Sequence, residues 1–158
     1  MKVQEVMSSN VKSCLPETNL AAAAAIMWEN DRGALPVVDE AGKVLGMITD
    51  RDICIAVATR GRLASEIMVS EVISGRVYTC AQEDDIKEAL QTMRQEKVRR
   101  LPVTDSDGRF QGILSTDDIV LSAEEAQGKR IPDLSYEDAI STLKAIGETR
   151  RLHRAAGA

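Results

Sequence analysis

Apolar residues follow the same order twice along this chain. A stretch with the spacing of one buried helical face comes first in each copy, formed by Leu20, Ala23, Ala24 and Met27 and then by Ile86, Ala89, Leu90 and Met93. Two short apolar runs then flank a turn rich in Asp and Gly, within 35–48 and again within 101–114. The pattern predicts a helix and a β-hairpin in each copy.

A second helix is expected after each hairpin. Polar residues at 49–52 and 115–118 precede further apolar stretches, which is typical of a helix start. A short strand ahead of the first helix, at 11–14 in one copy and 76–80 in the other, completes the predicted order of elements. Each copy is therefore predicted to be a β-α-β-β-α unit.

The two copies align closely enough to indicate a duplication. At an offset of 66 residues, 17 of the 51 positions in 3–53 are identical to those in 69–119, with no gap. One copy offers too little core to fold alone, so we expect the two to pack sheet to sheet about a pseudo-twofold axis. The predicted fold class is α+β, with repeats at 1–60 and 69–125, a linker at 61–68 and a tail at 126–158.

The tail is predicted to contain one helix outside the repeat. A break at 127–132 precedes Ser135, which is expected to begin the helix, and Gly147 is expected to end it. One helical face carries Tyr136, Ala139, Ile140, Leu143 and Ile146. We expect this apolar stripe to dock on the same module or on a second copy rather than on a foreign protein.

Composition narrows the function classes. The 158 residues include 20 basic and 25 acidic side chains, a net charge of −5, which argues against binding to a phosphate backbone. The four aromatic residues, Trp28, Tyr78, Phe110 and Tyr136, are too few for base-stacking platforms. The sequence has no signal core and no apolar run that could span a membrane, so a cytoplasmic protein is expected.

The cysteines favour a reducing compartment and no metal site. Cys14, Cys54 and Cys80 form no CxxC pair, and the single His153 leaves no histidine cluster for a metal. Cys14 and Cys80 are equivalent, and we expect buried apolar roles for them rather than redox roles. Trp28 is expected in the core or at an interface rather than against a ligand.

Two motifs, each present twice and in register, carry a resemblance to a known family. The first copy has Leu35-Pro36-Val37-Val38-Asp39, Gly42 and Gly46-Met47-Ile48-Thr49-Asp50-Arg51-Asp52-Ile53, and the second has Leu101-Pro102-Val103-Thr104-Asp105, Gly108 and Gly112-Ile113-Leu114-Ser115-Thr116-Asp117-Asp118-Ile119. Each copy resembles the CBS domain, named after cystathionine beta-synthase. The pair, about residues 1–125, resembles a Bateman module.

The resemblance implies a regulatory module that binds an adenosine-containing ligand between the repeats. AMP, ADP, ATP, S-adenosylmethionine and NAD are the family's ligands, and AMP or ATP is the first expectation here. By the family pattern, a hydroxyl meets the phosphate or ribose and an acid accepts from the ribose hydroxyls, which assigns Thr49 with Asp52 and Ser115 with Asp118. The adenine frame carries over to Ala34, Leu35 and Pro36 and to Arg100, Leu101 and Pro102.

The residues themselves support this chemistry but leave an alternative open. A carboxylate accepts well from vicinal hydroxyls, and free N–H groups at a helix start favour a phosphate. The spacing of Thr49 to Asp52 and of Ser115 to Asp118 also fits an ordinary capping box, which needs no ligand. Both interpretations can hold together.

The residues around the two motifs differ, so the two pockets are expected to be unequal. Arg51 stands between the hydroxyl and the acid in the first copy, where the second has Thr116 and Asp117. Arg99 and Arg100 precede the second Leu-Pro step, and Arg32 lies near the first. We predict that Arg51, Thr116, Arg99 and Arg100 belong to the site, with the arginines at the phosphate end and Arg32 a weaker candidate.

Three functions can be compared at this point. The first is a sensor of adenine nucleotides that signals to an unidentified target protein, and the second is a ligand-free interaction module that acts through dimerisation and its terminal helix. An enzyme is third, because the chain has no Walker loop, GxGxxG, HExxH or nucleophile-histidine pair. Family habit predicts a homodimer.

Overall fold

The computed structural model describes residues 1–128 and 130–155, with side chains described as far as Glu148. Its main elements are α1 Leu20–Glu29, β1 Ala34–Val38, β2 Val44–Thr49, α2 Asp50–Arg60, β3 Cys80–Ala81, α3 Ile86–Glu96, β4 Arg100–Thr104, β5 Phe110–Ser115, α4 Thr116–Ser122 and α5 Tyr136–Ala155. Two expectations reach beyond this description: the break at 127–132 includes Lys129, and the side chain of His153 lies outside the described residues.

Two compact units divide the chain. The repeat-1 unit comprises Asn10–Val77 and Asp107–Phe110, and the repeat-2 unit comprises Met1–Ser9, Tyr78–Ser106 and the chain from Gln111 onward. Each unit contains the hairpin and both helices of its repeat, apart from the hairpin tip at Asp107–Phe110.

The first residues of each repeat belong to the unit of the other repeat. Backbone hydrogen bonds of 2.8–3.0 Å hold these residues at equivalent positions in the two units. Val3 N donates to Asp84 O, and its equivalent Val69 N donates to Thr18 O. Gln4 N donates to Gln82 O, and its equivalent Ser70 N donates to Pro16 O. The exchange is therefore reciprocal. The repeat boundaries at 1–60 and 69–125 stay predictions about the sequence, and the compact units divide the chain differently.

In the repeat-1 unit, β1 and β2 form the predicted hairpin. They pair antiparallel, with Ala34 directly opposite Thr49. The side chain of Asp39 shapes the turn by accepting a hydrogen bond from Lys43 N at 2.9 Å. The buried core below the hairpin is aliphatic and consists of Cys14, Leu20, Ala23, Met27, Leu35, Val37, Ile48, Ala56, Ile67 and Val69. Its composition follows from the scarcity of aromatic residues.

In the repeat-2 unit, a three-stranded sheet has the order β3-β4-β5, with β3 parallel to β4. Helix α3 covers this core with the predicted apolar face, since Ile86, Ala89, Leu90 and Met93 are all at most 2% exposed. Asp85 caps the start of α3 by accepting from Lys87 N. The hairpins and the two helices of each repeat are thus confirmed.

The strands predicted ahead of the first helices are much shorter than expected. Cys14 makes only an isolated parallel bridge to Val37, and the second copy has just Cys80–Ala81 as β3. In the first copy the chain turns immediately after Cys14, where Thr18 N donates to Leu15 O. Pro16 within this turn has no N–H to offer a neighbouring strand, so the ladder cannot extend.

The terminal helix α5 begins where predicted and ends later. Ser135 precedes it, but the helix continues through Gly147 to Ala155, so the predicted stop is wrong. A glycine within a helix costs only about 1 kcal/mol relative to alanine. The contacts of the residue before it, Ile146, which is 5% exposed, offset this cost.

The apolar stripe of α5 splits into a packed part and an exposed part. Ala139 and Ile146 are buried in the repeat-2 core, whereas Tyr136, Ile140 and Leu143 are 43–53% exposed. Lys87 of α3 donates to Asp138, and Arg94 donates to Thr142. The helix therefore docks on α3 of its own module, as one of the two expectations had it.

The α+β class, the two repeats and the terminal helix are confirmed. Sheet-to-sheet packing about a pseudo-twofold axis stays a prediction. Within residues 1–128 and 130–155, no helix is both long and apolar enough to cross a membrane.

Candidate functional site

The first predicted motif lies at the junction of β2 and α2. Thr49 caps α2 by accepting from Asp52 N at 3.1 Å, and Asp52 Oδ2 accepts from Thr49 N at 2.9 Å. The expected capping box is therefore present. No other hydrogen bond of the Asp52 carboxylate is found among the described residues, so its Oδ1 can accept from a further group.

The second motif repeats this arrangement at the junction of β5 and α4. Ser115 accepts from Asp118 N at 3.2 Å, and Asp118 Oδ2 accepts from both Ser115 N and Ser115 Oγ. Here the other carboxylate oxygen is also engaged, because Ser8 Oγ donates to Asp118 Oδ1 at 2.8 Å. The two acids are thus equivalent in sequence and different in their hydrogen bonding.

Backbone hydrogen bonds hold the predicted adenine frame against each helix start. Asp50 N donates to Gly33 O and Thr116 N donates to Arg99 O, both at 3.0 Å and at equivalent positions. The structure therefore brings Ala34 beside Thr49 and brings the residues before Leu101 beside Ser115. This placement follows directly from the local register of each hairpin.

The Leu-Pro residues expose little of their side chains. Leu35 and Leu101 are each 0% exposed within their own cores, and Pro36 and Pro102 are also buried. A ligand beside these residues would meet their backbone rather than their side chains. Ala34 is 4% exposed, so it too would offer a ligand its backbone rather than its side chain.

The expectation of free backbone N–H groups at the start of α2 is wrong. Thr49 N and Asp52 N are used by the capping box, Asp50 N donates to Gly33 O, and Arg51 N donates to Asp50 Oδ1. The first turn also carries two acidic side chains, which already complement the helix dipole. A phosphate at this site would therefore rely on arginine side chains.

The predicted arginines are available for such a contact. Arg51 and Arg99 are exposed and Arg100 is partly buried, and none of them forms an ion pair within the part of the chain that the structure describes. Arg32 is likewise exposed and without an ion-pair partner there. Arg51 belongs to the repeat-1 unit and Arg99 and Arg100 to the repeat-2 unit. Thr116, the remaining predicted site residue, is partly buried and begins α4.

An open cavity of about 440 Å³ lies in the repeat-1 unit between the end of α1 and the start of α2. Trp28, Arg32, Gly33 and Asp50 are among its lining residues, but neither Thr49 nor Asp52 is. The cavity therefore lies next to the Thr49–Asp52 motif and does not include it. Trp28 is 88% exposed, so of the two expected places the core is wrong, and a place at an interface stays a prediction.

The equivalent cysteines are buried in the two cores. Cys14 is 5% and Cys80 6% exposed, and both are free thiols. Burial raises the pKa of Cys14 to about 11 and that of Cys80, with a contribution from Asp84, to about 12. The burial of both thiols confirms the apolar role, and the raised pKa values disfavour a reactive one.

The sequence patterns did not predict the contact of Ser8 with Asp118. Ser8 is identical to Ser74 at the 66-residue offset, so the duplication contained a signal for it. Ser8 lies beside Asp118 because residues 1–9 belong to the repeat-2 unit. No cluster of three or more His, Cys, Asp or Glu side chains suited to a metal occurs among the described residues.

A duplicated α+β unit, with a hydroxyl-acid cap beside a Leu-Pro strand in each copy, defines a class of paired modules. Sequence comparison agrees with this description, because the CBS domain profile matches residues 3–59 and 64–125. The chain belongs to the CBS domain family.

Individual relatives extend this result. The chain is 30% identical over 142 residues to the CBS domain-containing protein YhcV of Bacillus subtilis, covering 86% of this chain and 96% of YhcV. The crystal structure of Hypoxic Response Protein I, which has two coordinated zinc ions, superposes with a TM-score of 0.71 at 31% identity, covering 78% of this chain and all of that one. The CBS domain pair of protein MJ0100, solved with 5-methylthioadenosine and S-adenosyl-L-methionine, has a TM-score of 0.68 at 26% identity, covering 77% of this chain and 94% of that one.

Proposed function

We propose that this chain is a regulatory module that binds an adenosine-containing nucleotide beside the helix-start motifs and passes the binding signal to a partner protein. The observation that carries the proposal is the arrangement in the repeat-1 unit. Thr49 and Asp52 lie next to the strand that begins at Ala34, and Asp52 Oδ1 has no hydrogen-bond partner among the described residues. MJ0100, a structural relative, binds two adenosyl compounds.

Each part of a nucleotide has a chemically suitable partner in this proposal. The Asp52 carboxylate accepts from the ribose hydroxyls, and the Thr49 hydroxyl can donate, because its oxygen serves the cap only as an acceptor. The backbone before and at Leu35 frames the adenine. The phosphates fall to Arg51 and, in the second repeat, to Arg99 and Arg100, because planar guanidinium groups pair well with phosphate oxygens.

AMP and ATP are the first ligands to test, followed by ADP, S-adenosylmethionine and NAD. All five share the adenosine half that the proposed contacts recognise. We assign no catalytic role to the chain, and its target protein is to be found once the ligand is known.

Calorimetric titration of AMP into the full chain tests the proposal, with Asp52→Ala as the informative variant. Asp52 also caps α2, so a variant that loses a cap elsewhere in the same unit is the matched control. Asn19→Ala is suitable, because the Asn19 side chain caps α1 by accepting from Ala22 N at 2.8 Å. Loss of the tighter AMP site in Asp52→Ala but not in Asn19→Ala supports the proposal, and equal binding by both variants contradicts it.

A homodimer formed through α1 is the proposed assembly. This helix has no charged residue from Leu20 to Trp28, and Ala21, Ala22, Ala25 and Trp28 are exposed. A helix that is apolar all round is normally buried. A twofold interface sets the same patch against itself, so an uncharged patch suits a second copy of this chain, whereas like charges would repel.

Trp28 is the single tryptophan, so its fluorescence reports on this interface directly. Dilution should shift its emission to longer wavelength as dimers dissociate, and Trp28→Glu should be a monomer in light scattering. A dimeric Trp28→Glu, or emission that stays the same across the dissociation range, would show that α1 is not the interface. A dimer with no nucleotide affinity would favour the ligand-free interaction module instead.

A further inference from the structure

The two repeats carry the same serine-acid pair in different states. Ser8 Oγ donates to Asp118 Oδ1 at 2.8 Å. Its equivalent, Ser74, is exposed and makes no hydrogen bond to Asp52 or to any other described residue. Ser8 and Asp118 lie in the repeat-2 unit, and Ser74 and Asp52 lie in the repeat-1 unit, so each pair can be described within a single unit.

Backbone pairing explains why only Ser8 reaches its acid. Ser8 N donates to Ile113 O and Ile113 N donates to Ser8 O, both at 2.9 Å, so Ser8 extends the sheet beside β5. A β-carbon on Gly112 would lie 2.5 Å from Ser8 O, so this close approach requires glycine.

The first repeat has no such pairing among the described residues. There, the position of a Gly46 β-carbon lies 3.2 Å from Ile73 Cδ1, an atom at the flexible end of a side chain, rather than against backbone. The difference between the repeats is therefore one of chain path and not merely of a hydroxyl rotation.

We propose that Ser8 occupies the carboxylate of Asp118 and so makes the repeat-1 site the first to take nucleotide. A ribose that approaches Asp118 must replace the Ser8 hydrogen bond, whereas Asp52 has an oxygen without a partner. Hydrogen bonds to charged groups are the stronger ones, so this competition is expected to weaken the second site about tenfold. The inference rests on the proposed nucleotide binding.

The same contact suggests how the second site could signal. Ser8 lies near the end of the segment 1–9. The start of this segment is anchored by the hydrogen bond that Val3 N donates to Asp84 O at 3.0 Å. Nucleotide at Asp118 releases the Ser8 side chain while this anchor holds. The Ser8 backbone stays paired with Ile113, so the group that nucleotide releases is the Ser8 hydroxyl, next to the point where the chain leaves the repeat-2 unit.

AMP titration of the full chain tests the inference with a pair of variants that differ only in the repeat they affect. Ser8→Ala frees Asp118 Oδ1, and Ser74→Ala removes the equivalent hydroxyl that has no partner. The parent and Ser74→Ala should bind one AMP tightly and a second about tenfold more weakly. Ser8→Ala should bind the second AMP about tenfold more tightly, and Ser8→Thr should restore the parent behaviour.

A readout without nucleotide separates this competition from a purely structural role. Loss of the Ser8 hydrogen bond should lower the thermal midpoint by about 2–4 °C, and Ser74→Ala should change it by less than about 1 °C. A purely structural role would lower stability and AMP affinity together, whereas competition lowers stability and raises affinity.

The possible outcomes are distinct. Two equal AMP sites in the parent, or an unchanged second affinity in Ser8→Ala, overturn the role of Ser8 and leave the proposed function intact. If no variant binds AMP or any of the other four adenosyl ligands, both proposals are overturned, and the midpoint contrast then shows whether the Ser8 hydrogen bond itself exists. A weaker second site in Ser8→Ala assigns Ser8 to ligand support and also overturns the inference.

Discussion

Gly112 and Ser8 lie so close that a β-carbon on Gly112 would fall 2.5 Å from the Ser8 carbonyl oxygen. This contact holds the first residues of the chain against β5 of the second repeat. Gly112 is one of two equivalent glycines in the repeated motif, and its equivalent Gly46 faces the Ile73 side chain rather than backbone. The two glycines therefore have different structural roles despite identical sequence positions.

Gly112→Ala is expected to destabilise the protein by about 1–3 kcal/mol, because backbone must move to relieve the overlap. Gly46→Ala is expected to stay within about 1 kcal/mol of the parent, since the Ile73 side chain can shift and a strand glycine is itself unfavourable. Urea unfolding of both variants measures the difference. Equal destabilisation by the two substitutions would contradict the close approach of Ser8 to β5.

The packed and exposed sides of α5 can be compared with a single type of substitution. Ile146 is 5% exposed and Ile140 53% exposed on the same helix. Ile146→Ala should cost about 2–5 kcal/mol because it leaves a cavity against the repeat-2 core, whereas Ile140→Ala should change stability by less than about 0.5 kcal/mol. Chemical unfolding gives both values. A small effect of Ile146→Ala would show that α5 is not docked.

The hydrogen bond between Lys87 and Asp138 predicts a dependence of stability on pH. Partial burial alone would raise the pKa of Asp138, but hydrogen bonds from Lys87 and Ser135 outweigh it and hold the pKa below the ordinary 3.8. An acid whose pKa is lowered by folding contributes stability above its unfolded pKa, and this contribution is lost as the pH falls through the folded value. The parent should therefore be more stable than Asp138→Asn at pH 7.

On acidification, the gap between the parent and Asp138→Asn should narrow below about pH 4. Glu137→Gln is the control, since Glu137 is an exposed neighbour with no hydrogen bond or ion pair among the described residues. Thermal midpoints between pH 3 and pH 7 give the comparison. A gap that is independent of pH would show that the Lys87 contact does not stabilise the ionised carboxylate.

The three thiols should differ sharply in reactivity. Cys54 is exposed, whereas Cys14 and Cys80 are buried and have raised pKa values of about 11 and about 12. Ellman's reagent at pH 8 should therefore modify one thiol per folded chain quickly and the other two only at the rate of unfolding. Cys54→Ser should remove the fast phase. Three thiols that react at the same rate would contradict the burial of the two core cysteines.

The elements that depend on local sequence were predicted well. The first hairpin turn follows from Asp39, and the cap at Thr49 follows from the spacing to Asp52. Such features need only the residues within one turn or one hairpin, and these lie together in the sequence. Capping was one of two interpretations of Thr49, and the geometry accommodates both.

The features that depend on chain path could not be predicted. Two repeats with the same pattern of elements give no local signal for which copy residues 1–9 will pack against, so the contact of Ser8 with Asp118 could not be predicted. The stop at Gly147 failed because docking of Ile146 outweighs the weak helix preference of glycine. The expectation of free N–H groups at the start of α2 is wrong because Gly33 O accepts from Asp50 N and the Asp50 side chain accepts from Arg51 N.

A thermal-shift series with AMP, ADP, ATP, S-adenosylmethionine and NAD tests the central claim most directly, with the parent and Asp52→Ala measured side by side. A ligand at a hundred times its dissociation constant adds about 2.7 kcal/mol, which moves the midpoint of a chain of this size by roughly 5–10 °C. Nucleotide binding beside Thr49 and Asp52 predicts such a shift with at least one of these ligands in the parent and a clearly smaller shift in Asp52→Ala, in which only the weaker second site remains. No shift with any of the five, in protein shown to carry no co-purified nucleotide, would contradict it.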